Sequence, residues 1–297
     1  MVLDALEQQS YDHHDFEVVV VDDGGSDGTY QDIQGKKDTY TFSLKVLTQV
    51  NQGQGIARNH GIREASGDVI LLLGDDSIPE KDTLAEHMRV HEMSPEENVG
   101  VLGFTTWHKD IPFDHFRYFL ENGGQQFAYY KLADAQYWKG DKSLRLADYQ
   151  FFYTINISFK KSMFMQEMFD ESFHAYGWED IELGYRLEKK HDFKLVYNRL
   201  ATTGHYHPIT IDDFSKRMYT TGTSLLLFHD RHSEVPVYPA WYQKWIAWIT
   251  PHFAMQPVMK YLGQFFLPAL YFYFYLVMKQ GYFNGIWDGE QERKLMK

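Results

Sequence analysis

Between residues 16 and 107 the chain alternates unbroken apolar runs with stretches in which apolar positions recur at helical spacing. The runs are "FEVVVV" (16–21), "LKVLTQ" (44–49), "DVILLLGDD" (68–76) and "VGVLGFTTW" (99–107). Continuous apolar runs of this length read as strands buried on both faces. Between them, "GIARNHGIREAS" (55–66), closed by Gly67, and "TLAEHMRVHEM" (83–93) read as helices. This alternation predicts an α/β fold with a mostly parallel sheet flanked by helices. Ligands of such sheets lie at the carboxyl ends of the strands. Two of these strands end in paired acids, Asp22–Asp23 and Asp75–Asp76, so the acids are expected to line one crevice.

Beyond residue 108 the pattern loosens. "FFYTINISF" (151–159) and "FKLVYN" (193–198) read as strands. "WEDIELGYRLEKK" (178–190) and "ITIDDFSKRMYTTGTSLLLF" (209–228) read as helices. The most apolar stretch is "VMKYLGQFFLPALYFYFYLVMKQGYF" (258–283). A membrane span needs ~20 apolar residues, and Lys260, Gln264 and Pro268 interrupt this one. Its aromatic content suits an interface better than a bilayer core. "WYQKWIAWI" (241–249) adds three tryptophans. The expected organisation is an α/β domain over 1–232, with halves 1–107 and 108–232, and a helical, aromatic extension over 233–297. The extension has two readings: contact with a membrane surface, or a homo-oligomer interface.

Charge sharpens this division. The 297-residue chain has a net charge of −12, yet residues 239–297 hold six basic and three acidic side chains, a local +3. The rest carries −15, which argues against nucleic acid as a partner. The chain has no cysteine, which excludes disulfides and thiolate chemistry. The N-terminus lacks the layout of a signal peptide, and a cytoplasmic location is expected, with the inner face of the cell membrane as the site of any membrane contact.

Acids converging on a crevice repel one another, so a cation is expected among them. Oxygen ligands suit Mg²⁺ or Mn²⁺, which in turn suits a phosphate-bearing ligand. The competing reading is turn chemistry, because Asp and Gly also end strands and start helices. Neither G-x-G-x-x-G nor G-x-x-x-x-G-K-[ST] occurs, which removes the dinucleotide and P-loop classes.

The segments "FEVVVVDDGGSDGT", "NQGQGIARNHGIREASGDVILLLGDD", "T-x-N-x-S" (Thr154, Asn156, Ser158), "FDESF" and "GWEDIELGYRL" occur in this order. Together they resemble the inverting GT-A glycosyltransferases of bacterial family two, over residues 3 to 232. The resemblance implies a donor that is a nucleotide-diphosphate sugar, a UDP-sugar in first place, and an acceptor that is a glycan or a lipid-linked glycan. It implies that Asp22 or Asp23 meets the base, that Asp75 lies beside the ribose, and that Arg58 lies near the nucleotide. It implies Mn²⁺ or Mg²⁺ on Asp76 and His205, with His207 as a further candidate, and Asp180 as general base beside Glu179. Arg217 is a candidate for the diphosphate, and a solvated helix face is its alternative. Trp178 is a candidate for stacking on a sugar, and a core tryptophan is its alternative. From spacing alone, Glu179 and Asp180 would merely complement a helix N-terminus.

The sequence departs from the family in two places. The usual D-x-D motif reads "GDDS", with Gly74 for its first acid, and the family's usual first strand is expected to be absent from residues 1–16, either cut off or replaced by another segment. These departures leave two further expectations open: a nucleotide-sugar-binding protein with weak catalysis, and a membrane-associated scaffold.

Overall fold

The computed structural model describes residues 1–123, 126–240, 243 and 255–295. The chain forms two compact units. The first comprises Met1–Pro112, Glu121–His174 and Asp180–His207; the second comprises Phe113–Leu120, Ala175–Glu179 and Pro208–Lys297.

In chain order the elements up to residue 107 are α1 (Val2–Leu6), β1 (Glu17–Asp22), α2 (Thr29–Gly35), β2 (Ser43–Thr48), α3 (Gln54–Glu64), β3 (Val69–Leu73), β4 (Ser77–Pro79), α4 (Thr83–Met93) and β5 (Val99–Trp107). There follow α5 (His115–Asn122), β6 (Tyr137–Trp138), β7 (Asp141–Ala147), β8 (Asn156–Lys160), α6 (Lys161–Gln166), α7 (Glu179–His191) and β9 (Lys194–His205). The strand–helix alternation over residues 16–107 matches the apolar pattern. Residues 151–159 do not form one strand. Tyr149–Phe151 is a 3-10 turn whose start is capped by Asp148, and β8 begins only at Asn156. The buried rings of Phe151 and Phe152 had imitated a strand run.

Two sheets result. β1 and β2 pair in parallel. The larger sheet has the order β3-β8-β5-β9-β7-β6, with β4 added to β9. β3, β5 and β9 run one way, while β8, β7 and β4 run against them. β1 and β3 start side by side, because the Glu17 carboxylate accepts hydrogen bonds from the amides of Ser66 and Gly67. Among the described residues no ladder bond joins the two strands. Side chains join them instead: Val18 and Val20 pack with Leu71 and Leu73 around Leu6, Phe42, Leu44 and Leu84. No residue of β1 is fully buried, as expected for a strand with one bare edge.

The main core holds Leu102, Phe152, Ile157, Phe159, Phe164 and Phe193, together with Leu183 and Leu187. The last two are one helical turn apart on α7, so one face of that helix is apolar. Burying each such side chain contributes about 1.5–3 kcal/mol.

The second unit contains α8 (Ile211–Arg231), α9 (Met255–Leu262) and α10 (Leu267–Leu295). α10 lies against α8 along Gly281, Gly285 and Gly289. A Cβ at Gly285 would fall 2.0 Å from the Tyr219 carbonyl oxygen, and one at Gly281 2.4 Å from that of Ser215. Glycine is therefore required by close backbone approach. No described helix is long and apolar enough to cross a membrane. Trp241, Trp245 and Trp248 of the tryptophan-rich stretch lie outside the described residues.

Candidate active site

The end of β9 and the start of β4 build the centre of the site. Ser77 is paired with His205, and the Tyr206 amide donates to the Asp76 carbonyl at 2.7 Å. This pairing sets Asp76 against the two histidines of "HYH". Asp76 Oδ2 lies 3.0 Å from His205 Nε2 and 3.4 Å from His207 Nδ1. One ligand atom from each of the three lies within 4.8 Å of the others. Burial would raise the Asp76 carboxyl. The His205 hydrogen bond and the charges of His205 and His207 outweigh burial and hold it below the ordinary aspartate range.

The histidines are held by rings. Trp107 stacks on His205 with centroids 5.2 Å apart, and His205 stacks on His207 at 5.5 Å. Phe127 meets the His205 ring edge-on. Trp107 is opposite His205 in the β5–β9 register, so the sheet itself aligns the stack. His205 is 4% exposed, and its Nδ1 has no hydrogen-bond partner among the described residues. One carboxylate and two imidazoles, held rigidly and close together, make a donor set fit for a divalent metal of borderline softness.

Asp180 is the second residue of α7, and its Oδ1 accepts the Ile181 amide at 2.8 Å. Its charge, together with burial, pushes the Tyr153 phenol above its ordinary range, with burial the larger cause. Tyr153 packs on Phe127, 5.8 Å between centroids, and Phe127 on His205. One aromatic wall thus connects the Asp180 region with the histidines.

The acids of β1 have different tasks. Asp23 accepts from Gln49 Nε2 at 2.8 Å and from the Gln52 and Gly53 amides at 2.9 Å. It ties the end of β1 to the loop that enters α3. Asp22 closes its own turn through the Gly25 amide. Neither joins the cluster of Asp76, and Asp75 is exposed. Arg58, on α3, bonds Gln54 and lies over the Phe169 ring.

In the second unit, Glu179 is buried and accepts the Gly177 amide at 3.0 Å. Trp178 has φ +72°, a left-handed conformation that costs energy for a bulky residue. Its ring packs on Phe228 at 4.8 Å. The Arg217 guanidinium lies 4.9 Å over Tyr176.

The sequence model of Glycosyl transferase family 2 matches residues 1–173, more than half of the chain. The chain belongs to glycosyl transferase family 2. Among its family relatives, the uncharacterized glycosyltransferase YfnE of Bacillus subtilis is 29% identical over 225 residues, covering 62% of this chain and 55% of YfnE. The hyaluronan synthase of Pasteurella multocida is 30% identical over 201 residues, covering 59% of this chain and 20% of the synthase. The chain thus spans about half or less of the length of these relatives. The structure of the mannosyltransferase PcManGT from Pyrobaculum calidifontis, in complex with GDP-Man and Mn²⁺, has a TM-score of 0.60 at 15% identity, covering 98% of this chain and 83% of that one. At that identity the likeness shows a shared GT-A fold.

Three residues of this family 2 site escaped the sequence reading: Trp107, Phe127 and Tyr153. Trp107 was legible as the last residue of a strand, but its partner is set by the β5–β9 register. Phe127 carries φ +63°, which no pattern of apolar positions encodes.

Proposed function

We propose that the protein transfers a sugar from a nucleotide-diphosphate sugar, a UDP-sugar in first place, to an acceptor hydroxyl on a glycan or lipid-linked glycan. The observation that carries this reading is the gathering of Asp76, His205 and His207 in a family 2 chain. Residues 1–232 would form the catalytic domain, with a nucleotide-binding half to 107 and an acceptor and metal half beyond it, and 233–297 an extension.

Asp76, His205 and His207 would hold Mn²⁺ or Mg²⁺, with the two nitrogen donors favouring Mn²⁺. Bound there, the ion supplies charge neutralisation to a leaving diphosphate. Asp180 takes the proton from the acceptor hydroxyl as its oxygen attacks the anomeric carbon. The bond from that carbon to the diphosphate breaks in the same displacement, which inverts the anomeric centre. Asp22, half-buried at the end of β1, would be the acid that meets the base, since the Asp23 carboxylate already accepts three hydrogen bonds. Asp75 would lie by the ribose, and Arg58 and Arg217 near the phosphates. Trp178 is left as a candidate for the sugar, with Glu179 bracing the turn before Asp180.

A binding protein of weak activity is the second reading, and Gly74 favours it. A Cβ there would lie 3.1 Å from Asp76 Oδ1 and 3.0 Å from Ile155, so the space beside Asp76 is narrow for a second acid. Donor hydrolysis separates the two readings. Purified protein is given UDP-, GDP- and dTDP-sugars with Mn²⁺ or Mg²⁺, and released nucleoside diphosphate is measured. Turnover of one donor, abolished by chelator and by Asp76→Ala, supports the transferase. Donor binding without turnover would leave the binding reading.

A further inference from the structure

The turn between α9 and α10 is apolar and exposed. Around it Val258, Tyr261, Leu262, Phe265, Phe266 and Leu267 are all exposed, Phe265 at 77% and Phe266 at 62%. Further along α10, Phe272 and Tyr275 stack on each other and are exposed as well. A contiguous apolar surface of this kind marks an interaction site.

The backbone of the turn is already paired. The amides of Gly263, Gln264, Phe265 and Phe266 donate to the carbonyls of Met259, Tyr261 and Leu262 at 2.8 to 3.2 Å. Pro268, in the first turn of α10, has no amide hydrogen to satisfy. Moving the turn into a medium of low dielectric therefore strands none of these donors, the main cost that keeps ordinary loops in water.

The charge pattern is one-sided. From Met255 to Trp287 there is no Asp or Glu, and the only charges are Lys260 and Lys279. This lies within a chain of net charge −12. Lys260 is exposed beside the turn, with its ammonium 5.8 Å over the Tyr273 ring.

We propose that the α9–α10 turn is a membrane-docking wedge, whose occupant is the headgroup–acyl boundary of a bilayer containing anionic phospholipid. Phe265 and Phe266 enter the boundary, where aromatic rings are favoured. Tyr261 and Tyr275 keep their hydroxyls at the wet side, and Lys260 meets lipid phosphate. A second copy of the chain fits less well, since this face meeting itself would offer its lysines no acidic partner within 255–287. Lipid binding needs none of the residues given to sugar transfer. It rests on the transferase reading only for its consequence, an acceptor presented at a lipid surface.

The test is co-sedimentation of the full chain with vesicles of phosphatidylcholine alone, and with equal parts phosphatidylcholine and phosphatidylglycerol. Binding is expected to be tighter on the anionic vesicles by about fivefold for each lysine near the surface, and to weaken with salt. The double variant Phe265→Asp/Phe266→Asp is expected to lose at least about tenfold in vesicle affinity, with unchanged circular dichroism and donor hydrolysis. Lys260→Glu should remove the preference for anionic lipid while leaving binding to neutral vesicles. Wild-type protein that sediments no better than the double variant overturns the proposal. So does a dimer in lipid-free solution that the double variant abolishes while vesicles are ignored. Intact vesicle binding without donor turnover counts against the transferase reading alone.

Discussion

Asp180 and the pair His87–His91 show how differently two sets of titratable side chains are used. Asp180 stands at the N-terminal end of α7, with its Oδ1 accepting the Ile181 amide. Asp180→Asn keeps the size and the acceptor for Ile181 but cannot take a proton, so transfer should fall by about 10²–10⁴-fold. That change should appear in kcat, with little change in donor affinity by titration. His87 and His91 are buried, one turn apart on α4. His87 bonds Ser158 Oγ at 2.8 Å and Asn156 Oδ1 at 2.9 Å, and His91 Nε2 lies 2.9 Å from the same Ser158 oxygen. Burial pushes His87 down to about 4 and His91 down to about 3, the latter also through the charge of His87. Both folded values lie below the unfolded value of 6.5, so the unfolded chain binds the extra protons. Their stabilisation is complete above 6.5 and is lost as pH falls toward 4. The loss is up to about 1.4 kcal/mol per pH unit for each histidine. Urea melts at neutral pH and at about pH 5 should show it, and the His91→Gln variant should have a flatter pH profile.

Elements are fastened by residues that the sequence motifs had marked for function. Asn59 of the "ARNHG" segment donates to the Phe169 carbonyl at 2.9 Å and accepts the Phe169 amide at 3.0 Å, so the "FDESF" segment is docked on α3. Asn156 of "T-x-N-x-S" donates to the Ala201 carbonyl at 3.0 Å, and it and Ser158 receive the histidines of α4. These two motifs hold helices and strands together, and their spacing alone could not separate that role from catalysis. In the second unit the α8–α10 contact depends on the absence of side chains. Gly285→Leu would force the helices apart, because its Cβ position falls on the Tyr219 carbonyl. Overpacking of a close contact costs about 1–3 kcal/mol or more. A lowered melting temperature of the Gly285→Leu variant would check this.

At the scale of the molecule, the uneven charge is the property with most consequence. The body is acidic and its C-terminal part mildly basic and aromatic. Binding to anionic vesicles should therefore be oriented, through the α9–α10 turn. Limited proteolysis tests this: cleavage within 255–275 should slow on vesicles, while cleavage in the 24–36 segment should not. Metal dependence is also read on the whole protein. A chelator should remove donor hydrolysis, and Mn²⁺ should restore it more effectively than Mg²⁺, given two imidazole ligands.

The sequence by itself determined the alternation of strands and helices from 16 to 107, the acid-ended strands, the class of chemistry and the apolar C-terminal stretch. Each of these is local: period, turn residues and motif order are written along the chain. Even His205 and His207 were legible, since residues two apart share a face at a strand end. The family resemblance had already pointed to Asp76 as the partner of His205, but only the tertiary structure supplied the contact and its geometry. Asp76 is 129 residues from His205, and it is the antiparallel β4–β9 pairing that brings them to 3.0 Å. The same holds for the Trp107 stack, for the occupied carboxylate of Asp23, and for the break that turns one apolar stretch into α9 and α10. All of these follow from register and packing between distant segments, and a short window of sequence carries no term for either.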